Sequence, residues 1–407
     1  MVNKIYKKRW IAEKMRKALN VSKVLILTGA QQTGKTTLLR NESPFNNYKY
    51  FSMDDLDILT QAEKNPSPIL SSGKNIVIDE AQRVPKVMLA IKQIVDNEKD
   101  RRFILSGSAN FLLLKNISET LAGRATYFTL YPFTFSESKR KEIPYWLLNM
   151  FKGEYPKEKS IINKLSTTPM LFKGFLPPVL ELENPEEISM WWNGYIKTYL
   201  ERDLRDLSNI ASLGDFRNVM ELLALRTGSI VDQTGISRDT GISQPTVHRY
   251  INLLEASHLF VRLRPFTKIK SKSITKTPKG YFIDTGIAAH LAGYRDSSAM
   301  DGKFKGHLFE SMILANLLTL ADIWGMRIYF WRTRGGKEKE IDFVLEYGRK
   351  VLPVEVKFSN KVNYNDIQNI LYFLSTNPNA VGGIVIYNGN KIYRLSSNIF
   401  AIPWMML

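Results

Sequence analysis

The sequence predicts a multidomain α/β protein: a P-loop domain built on a parallel sheet, a winged helix-turn-helix, and a C-terminal α/β domain. Three observations predict it. A glycine loop at residues 29–36 lies between the apolar run Val24-Leu25-Ile26-Leu27 and the helical start Thr37-Leu38-Leu39. That strand–loop–helix context makes a G-x-x-x-x-G-K-[ST] string a phosphate cradle. Further on, Val247, Ile251 and Leu254 repeat at helical core spacing behind a glycine turn. Near the end, residues 340–344 and 354–357 are short apolar strands carrying acids at alternate positions.

At 407 residues the chain exceeds one ordinary core. Its 44% hydrophobic and 24% charged residues are globular values. No apolar run approaches the length of a bilayer span, and residues 1–20 are basic and amphipathic, without a secretory apolar core. The expectation is therefore a cytoplasmic protein with no membrane partner. Absence of cysteine removes disulfides and thiolate metal sites. Lys and Arg number 57 against 39 Asp and Glu, a net charge of +18. Such an excess points toward DNA, although a generally basic proteome produces the same balance.

In the loop, Gly29, Gln32, Thr33 and Gly34 would turn backbone N–H groups onto phosphate oxygens, with Thr37 opening the helix behind them. Lys35 would reach the β- and γ-phosphates of ATP, and the Thr36 hydroxyl would ligate Mg²⁺. One strand later, residues 76–78 end in Asp79-Glu80. Ligand groups gather at the carboxyl ends of strands in such sheets. Asp79 would hold the Mg²⁺ shell and Glu80 would polarise the attacking water. A strand at residues 103–105 leads to Ser106-Gly107-Ser108. Inserted between the loop strand and the acidic strand, it would bring Ser106 or Ser108 to the γ-phosphate; a serine turn reads equally well. After a helical stretch, residues 111–121, comes Gly123-Arg124. Arg124 would serve as an arginine finger in a homo-oligomer, or else as a charge at a helix end.

These motifs, with Asp79-Glu80-Ala81-Gln82, Tyr131-Pro132-Phe133 and the segment YIKTYLERD at residues 195–203, resemble a prokaryotic family of AAA+-superfamily ATPases. That family joins an N-terminal ATPase to a C-terminal domain of unknown function. The resemblance spans nearly the whole chain and implies ATP binding and hydrolysis.

Residues 1–135 are expected to form the ATPase domain and residues 136–205 a helical lid or spacer. In residues 206–284, helical segments through residues 229–232 and 236–240 precede the turn Gly241-Ile242-Ser243 and a helix at 244–255. Gln244, Thr246, His248, Arg249 and Asn252 fall on its outer side. Residues 259–263 and 281–283 would be wing strands around a tip carrying Lys268, Lys270, Lys272, Lys276 and Lys279. Such a module docks DNA or packs against protein.

In residues 285–407, Glu310 opens an apolar helix, Asp342 faces away from Ile341 and Phe343, and Glu355 shares a face with Lys357. Gly348 would turn the hairpin between the two acidic strands. The set Glu310, Asp342, Glu355, Lys357 resembles the PD-(D/E)xK nuclease superfamily, with Ile341 in place of the motif's proline. The resemblance implies a restriction-endonuclease-like α/β fold. Glu310, Asp342 and Glu355 would bind one or two Mg²⁺ ions, and Lys357 would position water. Arg332, Arg334 and Lys337 would neutralise a bound backbone. The whole reads as an ATPase engaging DNA, with a C-terminal half that cleaves or only binds.

Overall fold

Five short strands form the N-terminal sheet: β1 (Val24–Thr28), β2 (Lys49–Ser52), β3 (Asn75–Asp79), β4 (Arg102–Ser106) and β5 (Ala125–Thr129). All neighbours are parallel, in the order β2-β3-β4-β1-β5. A parallel sheet covered on both faces needs nearly continuous apolar strands, and β1, β3 and β4 read that way. Ile26, Ile78 and Leu105 pack with Val87, Met88 and Ile91 of the helix Pro85–Asn97. The order places β4 between β3 and β1, as the serine motif requires.

The computed structural model describes residues 6–108, 121–161, 166–203, 210, 212–267, 273, 276–333 and 338–407. The expected helix at residues 111–121 lies almost wholly outside them, as do Lys268, Lys270, Lys272, Arg334 and Lys337. The chain divides into two units, Met1–Tyr131 with Ala256–His258, and Pro132–Glu255 with Leu259–Leu407. No helix among the described residues is long and apolar enough to cross a membrane.

Four segments were expected where two units are found. Residues 136–205 are no separate lid or spacer; they belong to the C-terminal unit. Phe135 N donates to Asn316 Oδ1 at 3.0 Å, Trp146 Nε1 donates to the Met406 carbonyl at 2.8 Å, and Ser136 Oγ donates to the Leu407 carbonyl. Periodicity could not reveal this, because these partners lie more than a hundred residues away.

The middle of the C-terminal unit holds the helices Leu213–Leu225, Gln233–Thr240 and Gln244–Ala256. Its antiparallel sheet β7-β9-β8 uses β7 (Ser229–Ile230), β8 (Phe260–Leu263) and β9 (Lys279–Phe282). Residues 229–230 are thus strand, against the helical expectation, because they pair with β9. Gly241 takes φ 72° at the turn. Val247, Ile251 and Leu254 are buried, while Gln244, His248 and Arg249 are exposed.

The last sheet takes β6 (Lys159–Ser160), β10 (Arg327–Arg332), β11 (Glu340–Tyr347), β12 (Lys350–Lys357), β13 (Gly383–Tyr387), β14 (Lys391–Ser396) and β15 (Ile399–Pro403). Their order is β10-β11-β12-β13-β15-β14-β6. β11 and β12 form an antiparallel hairpin pairing Tyr347 with Lys350, and Gly348 supplies the turn at φ 62°. The helix Gly302–Trp324 packs on β10 and β12, and Gln368–Thr376 on β11 and β12.

Within this unit His290 is buried against Phe172 and Trp192, and its Nδ1 donates to the Gly286 carbonyl at 2.8 Å. Burial lowers its pKa from 6.5 to about 4. The unfolded chain therefore takes the proton first as pH falls through 6.5. Between pH 6.5 and 4 this group costs the folded state up to about 3 kcal/mol. Urea titrations across that range are expected to show a shallower loss of stability in His290→Asn than in wild type.

Candidate nucleotide site and acidic centre

At the carboxyl edge of the N-terminal sheet, Asp79 gathers the site. Thr36 Oγ1 donates to its Oδ2 at 2.6 Å, and the Tyr50 hydroxyl donates to the same oxygen. Its Oδ1 accepts from Ser106 Oγ and, at 3.1 Å, from Glu80 N. Tyr50 ends up there because β2 lies beside β3. Its hydroxyl proton is held tightly by burial and by the Asp79 charge.

Lys35 is buried, and its ammonium donates to the carbonyls of Gly29 and Ala30, each at 3.0 Å. Burial lowers its pKa, opposed by Glu80 and Asp79. The loop geometry demands its glycines. Gly29 stands at φ 151°, where a Cβ would meet the Leu130 carbonyl oxygen at 2.3 Å. Gln32 and Gly34 also have positive φ, 66° and 94°. Thr33 Oγ1 closes the turn onto the Ala30 carbonyl at 2.8 Å, while Gln32 and Thr37 are exposed.

Glu80 sits in the left-handed region at φ 51°. Its Oε2 accepts from Gln82 Nε2 and, at 3.4 Å each, from the backbone N and Oγ of Ser108. The two serines thus divide the work: Ser106 holds Asp79 and Ser108 holds Glu80. Gln82 lies close to residue 107, where a Cβ would meet its Oε1 at 2.1 Å unless that side chain moved aside.

Three further side chains carry no motif. Arg9 is buried and clamps the loop, donating to the carbonyls of Thr33 at 2.9 Å and Tyr131 at 2.6 Å. Tyr50 is visible only as a residue near the end of an apolar strand. His258, in the short segment that joins the N-terminal unit, places Nε2 3.1 Å from Thr28 Oγ1. Burial and the Lys35 charge lower its pKa to about 4.

Arg124 stands in an exposed ion pair. It precedes β5, where its carbonyl accepts from Val24 N at the start of β1. It therefore lies at the amino edge of the sheet, a strand's length from the loop. Its guanidinium is bound on both sides by Asp96, at 2.5 and 3.1 Å. That pairing competes with service as an arginine finger.

Thr36 and Asp79 are hard oxygen donors already within 2.6 Å of each other, the set that Mg²⁺ prefers. They fit a nucleotide-bound Mg²⁺.

The C-terminal centre is also assembled, with one change. Asp342 and Glu355 flank the paired residues Phe343 and Val354 of the β11–β12 hairpin. Asp342 Oδ2 accepts from Val356 N at 2.8 Å, and Lys357 Nζ donates to Glu355 Oε1 at 2.8 Å. Burial, then the neighbouring acid, raises both carboxyls: Asp342 to about 7 beside Glu310, Glu355 to about 8 beside Asp342. Glu355 is 6% exposed, and its Oε2 has no hydrogen-bond partner.

Glu310 does not complete a set of three. Its Oε1 accepts from the Tyr281 hydroxyl at 2.6 Å and faces Lys279 Nζ at 3.4 Å. No group of three His, Asp or Glu among the described residues is arranged to hold a metal. Asp342 and Glu355 are therefore the adjacent carboxylates of the centre, while Glu310 is held by Tyr281 and Lys279. Lys279, expected in an exposed basic tip, is instead 4% exposed and paired with Glu340 as well.

Residues 21–139 match the family described as AAA domain. Residues 166–298 match a domain of unknown function (DUF8612), and residues 305–407 match another (DUF4143). An uncharacterized protein of Mycobacterium tuberculosis is 27% identical, over 98% of this chain and 84% of its own. One from Haemophilus influenzae is 22% identical over 94% of each chain. Among solved structures, the Walker-type ATPase of Pyrococcus abyssi is similar over 71% of this chain and 97% of its own. Its identity is 16% and its TM-score 0.43. Residues 21–139 are thus an AAA-type P-loop ATPase-like domain.

Two outcomes are expected here. Arg9→Met frees the Thr33 carbonyl and weakens nucleotide binding about tenfold, the worth of one to two hydrogen bonds, read by calorimetry. Arg124→Ala leaves ATP turnover within about threefold of wild type where Arg124 serves only its pair with Asp96, and a loss of about tenfold or more identifies an arginine finger.

Proposed function

We propose that this protein is an ATP-hydrolysing switch that engages DNA through its C-terminal half. The observation that carries the ATPase reading is the junction of Thr36, Asp79 and Ser106 beside buried Lys35, with Glu80 held separately by Gln82 and Ser108. Mg²⁺ bound with ATP would neutralise charge between the β- and γ-phosphates. Lys35, now on two loop carbonyls, would exchange them for phosphate oxygens. Glu80 would orient and deprotonate the attacking water, while Asp79 would hold the Mg²⁺ shell.

Lys35→Ala is expected to lose MgATP affinity by about 100-fold or more, read by fluorescent-nucleotide titration. Glu80→Gln should keep that affinity and lose about 10²–10⁴ in turnover. Undiminished hydrolysis by Glu80→Gln would remove Glu80 from the chemistry.

The DNA reading rests on the net charge of +18 and on the exposed Gln244, His248 and Arg249 of the helix after the turn. These residues, with β8 and β9, support a winged helix laid into a groove. Affinity for duplex DNA should fall steeply with salt, and Arg249→Ala should reduce the salt slope by about one. Retention on DNA that ignores salt would remove this reading.

The carboxylate pair with Lys357 supports a metal-dependent phosphodiesterase of the PD-(D/E)xK kind. Incubation of plasmid, single-stranded and branched DNA with Mg²⁺ or Mn²⁺ tests it. Cleavage lost in Asp342→Asn and Lys357→Ala identifies an enzyme. Intact DNA with retained binding identifies a module that only docks.

A further inference from the structure

Lys279 begins strand β9, next to Gly280 and two residues before Tyr281, so Lys279 and Tyr281 share a face of that strand. Both reach Glu310. The Tyr281 hydroxyl donates to Glu310 Oε1 at 2.6 Å, and the Lys279 ammonium stands 3.4 Å from the same oxygen. Lys279 also pairs with Glu340 Oε1, and the Phe330 ring lies 5.8 Å from its Nζ. Glu310 Oε2 faces Gly228, where a Cβ would approach it to 3.6 Å. Glu310 is thus engaged on one oxygen, and its other oxygen lies on the Gly228 side.

The opposite side of the centre differs. Glu355 is nine-tenths buried, Lys357 occupies only its Oε1, and its Oε2 is unpartnered. Asp342 lies alongside across the hairpin, held through one oxygen by Val356 N. A buried carboxylate oxygen without a donor is costly unless a cation or proton meets it. One side of the centre is therefore satisfied by a protein ammonium, and the other is open to an ion.

We infer that Lys279 stands in for a divalent cation on the Glu310 side, so that the centre takes one ion, on Asp342 and Glu355, instead of two. This rests on the carboxylate-centre reading above and specifies its stoichiometry. Lys279 is a positioning residue: it fixes Glu310 and Glu340 and supplies fixed positive charge next to the ion. A phosphodiester reaching the centre would meet one exchangeable cation and one permanent one.

Mn²⁺ binding to nucleotide-free, full-length protein tests the inference, by calorimetry and by electron paramagnetic resonance. Wild type should bind one Mn²⁺ that Asp342→Asn abolishes and that Glu310→Gln leaves within threefold in Kd. Lys279→Met alone strands buried carboxylates without counter-charge, so the charge-balanced Lys279→Met/Glu340→Gln is used, its fold checked by circular dichroism. It should bind one further Mn²⁺ per chain, lost again on adding Glu310→Gln. Two outcomes overturn the inference while leaving the carboxylate centre intact. One is a tenfold or greater weakening by Glu310→Gln in otherwise wild-type protein. The other is a folded double variant that takes up no additional ion. Should wild type bind no ion sensitive to Asp342→Asn, the carboxylate centre itself falls, and this inference with it.

Discussion

The hydrogen-bonded junction at Asp79 is the constraint on which the N-terminal unit depends. One carboxylate accepts from Thr36 behind the glycine loop, Tyr50 on β2, and Ser106 at the end of β4. Those donors meet only if β3 lies between β2 and β4 and all strands run the same way. Buried carboxylates without donors are expensive, so the junction and the strand order are mutually dependent. The loop inherits its place from the same edge: Gly29 leaves β1 where only glycine avoids the Leu130 carbonyl, and Arg9 pins the far side of the turn. The Asp79 carboxylate thus has donors on both oxygens from within the sheet edge.

The C-terminal unit solves a similar problem with different means. Its hairpin sets Asp342 beside Glu355 because the antiparallel register leaves no alternative once Tyr347 pairs with Lys350. A two-residue turn with Gly348 fixes that register. The buried charge is then balanced unevenly, by Lys357 at one acid and by Lys279 from β9 at another. The strand that supplies Lys279 belongs to a different sheet. The two sheets are therefore joined electrostatically at the acidic centre.

Much of the local geometry was legible in residue order. Motifs that place donors within a few residues, as in Gly29 through Thr36 or Glu355 with Lys357, carry their geometry in local spacing. The insertion of β4 between β3 and β1 was anticipated, whereas the hydrogen bonds of Ser106 to Asp79 and of Ser108 to Glu80 were not. Ser229 and Ile230 were misread because two residues carry too little periodicity, and β9 alone decides their state. Lys279 was misread because a lysine among lysines looks solvated, until Glu310 and Glu340 arrive from distant segments. Arg124 kept its charge but found Asp96, a partner on a helix elsewhere in the chain.

The sequence by itself determined the phosphate loop, the acidic strand ends, the hairpin and the apolar stripes, because each depends on neighbours within a turn or a pleat. Tertiary structure alone decided which charges are spent on one another: Arg9 on the loop carbonyls, Tyr50 on Asp79, Lys279 on Glu310. Burial makes an unpaired charge costly and lets distance in space, not in sequence, choose its partner. The division of the chain into two units where four segments were expected has the same origin. Residues 136–205 look like a spacer until the carbonyls of Met406 and Leu407 accept hydrogen bonds from Trp146 and Ser136.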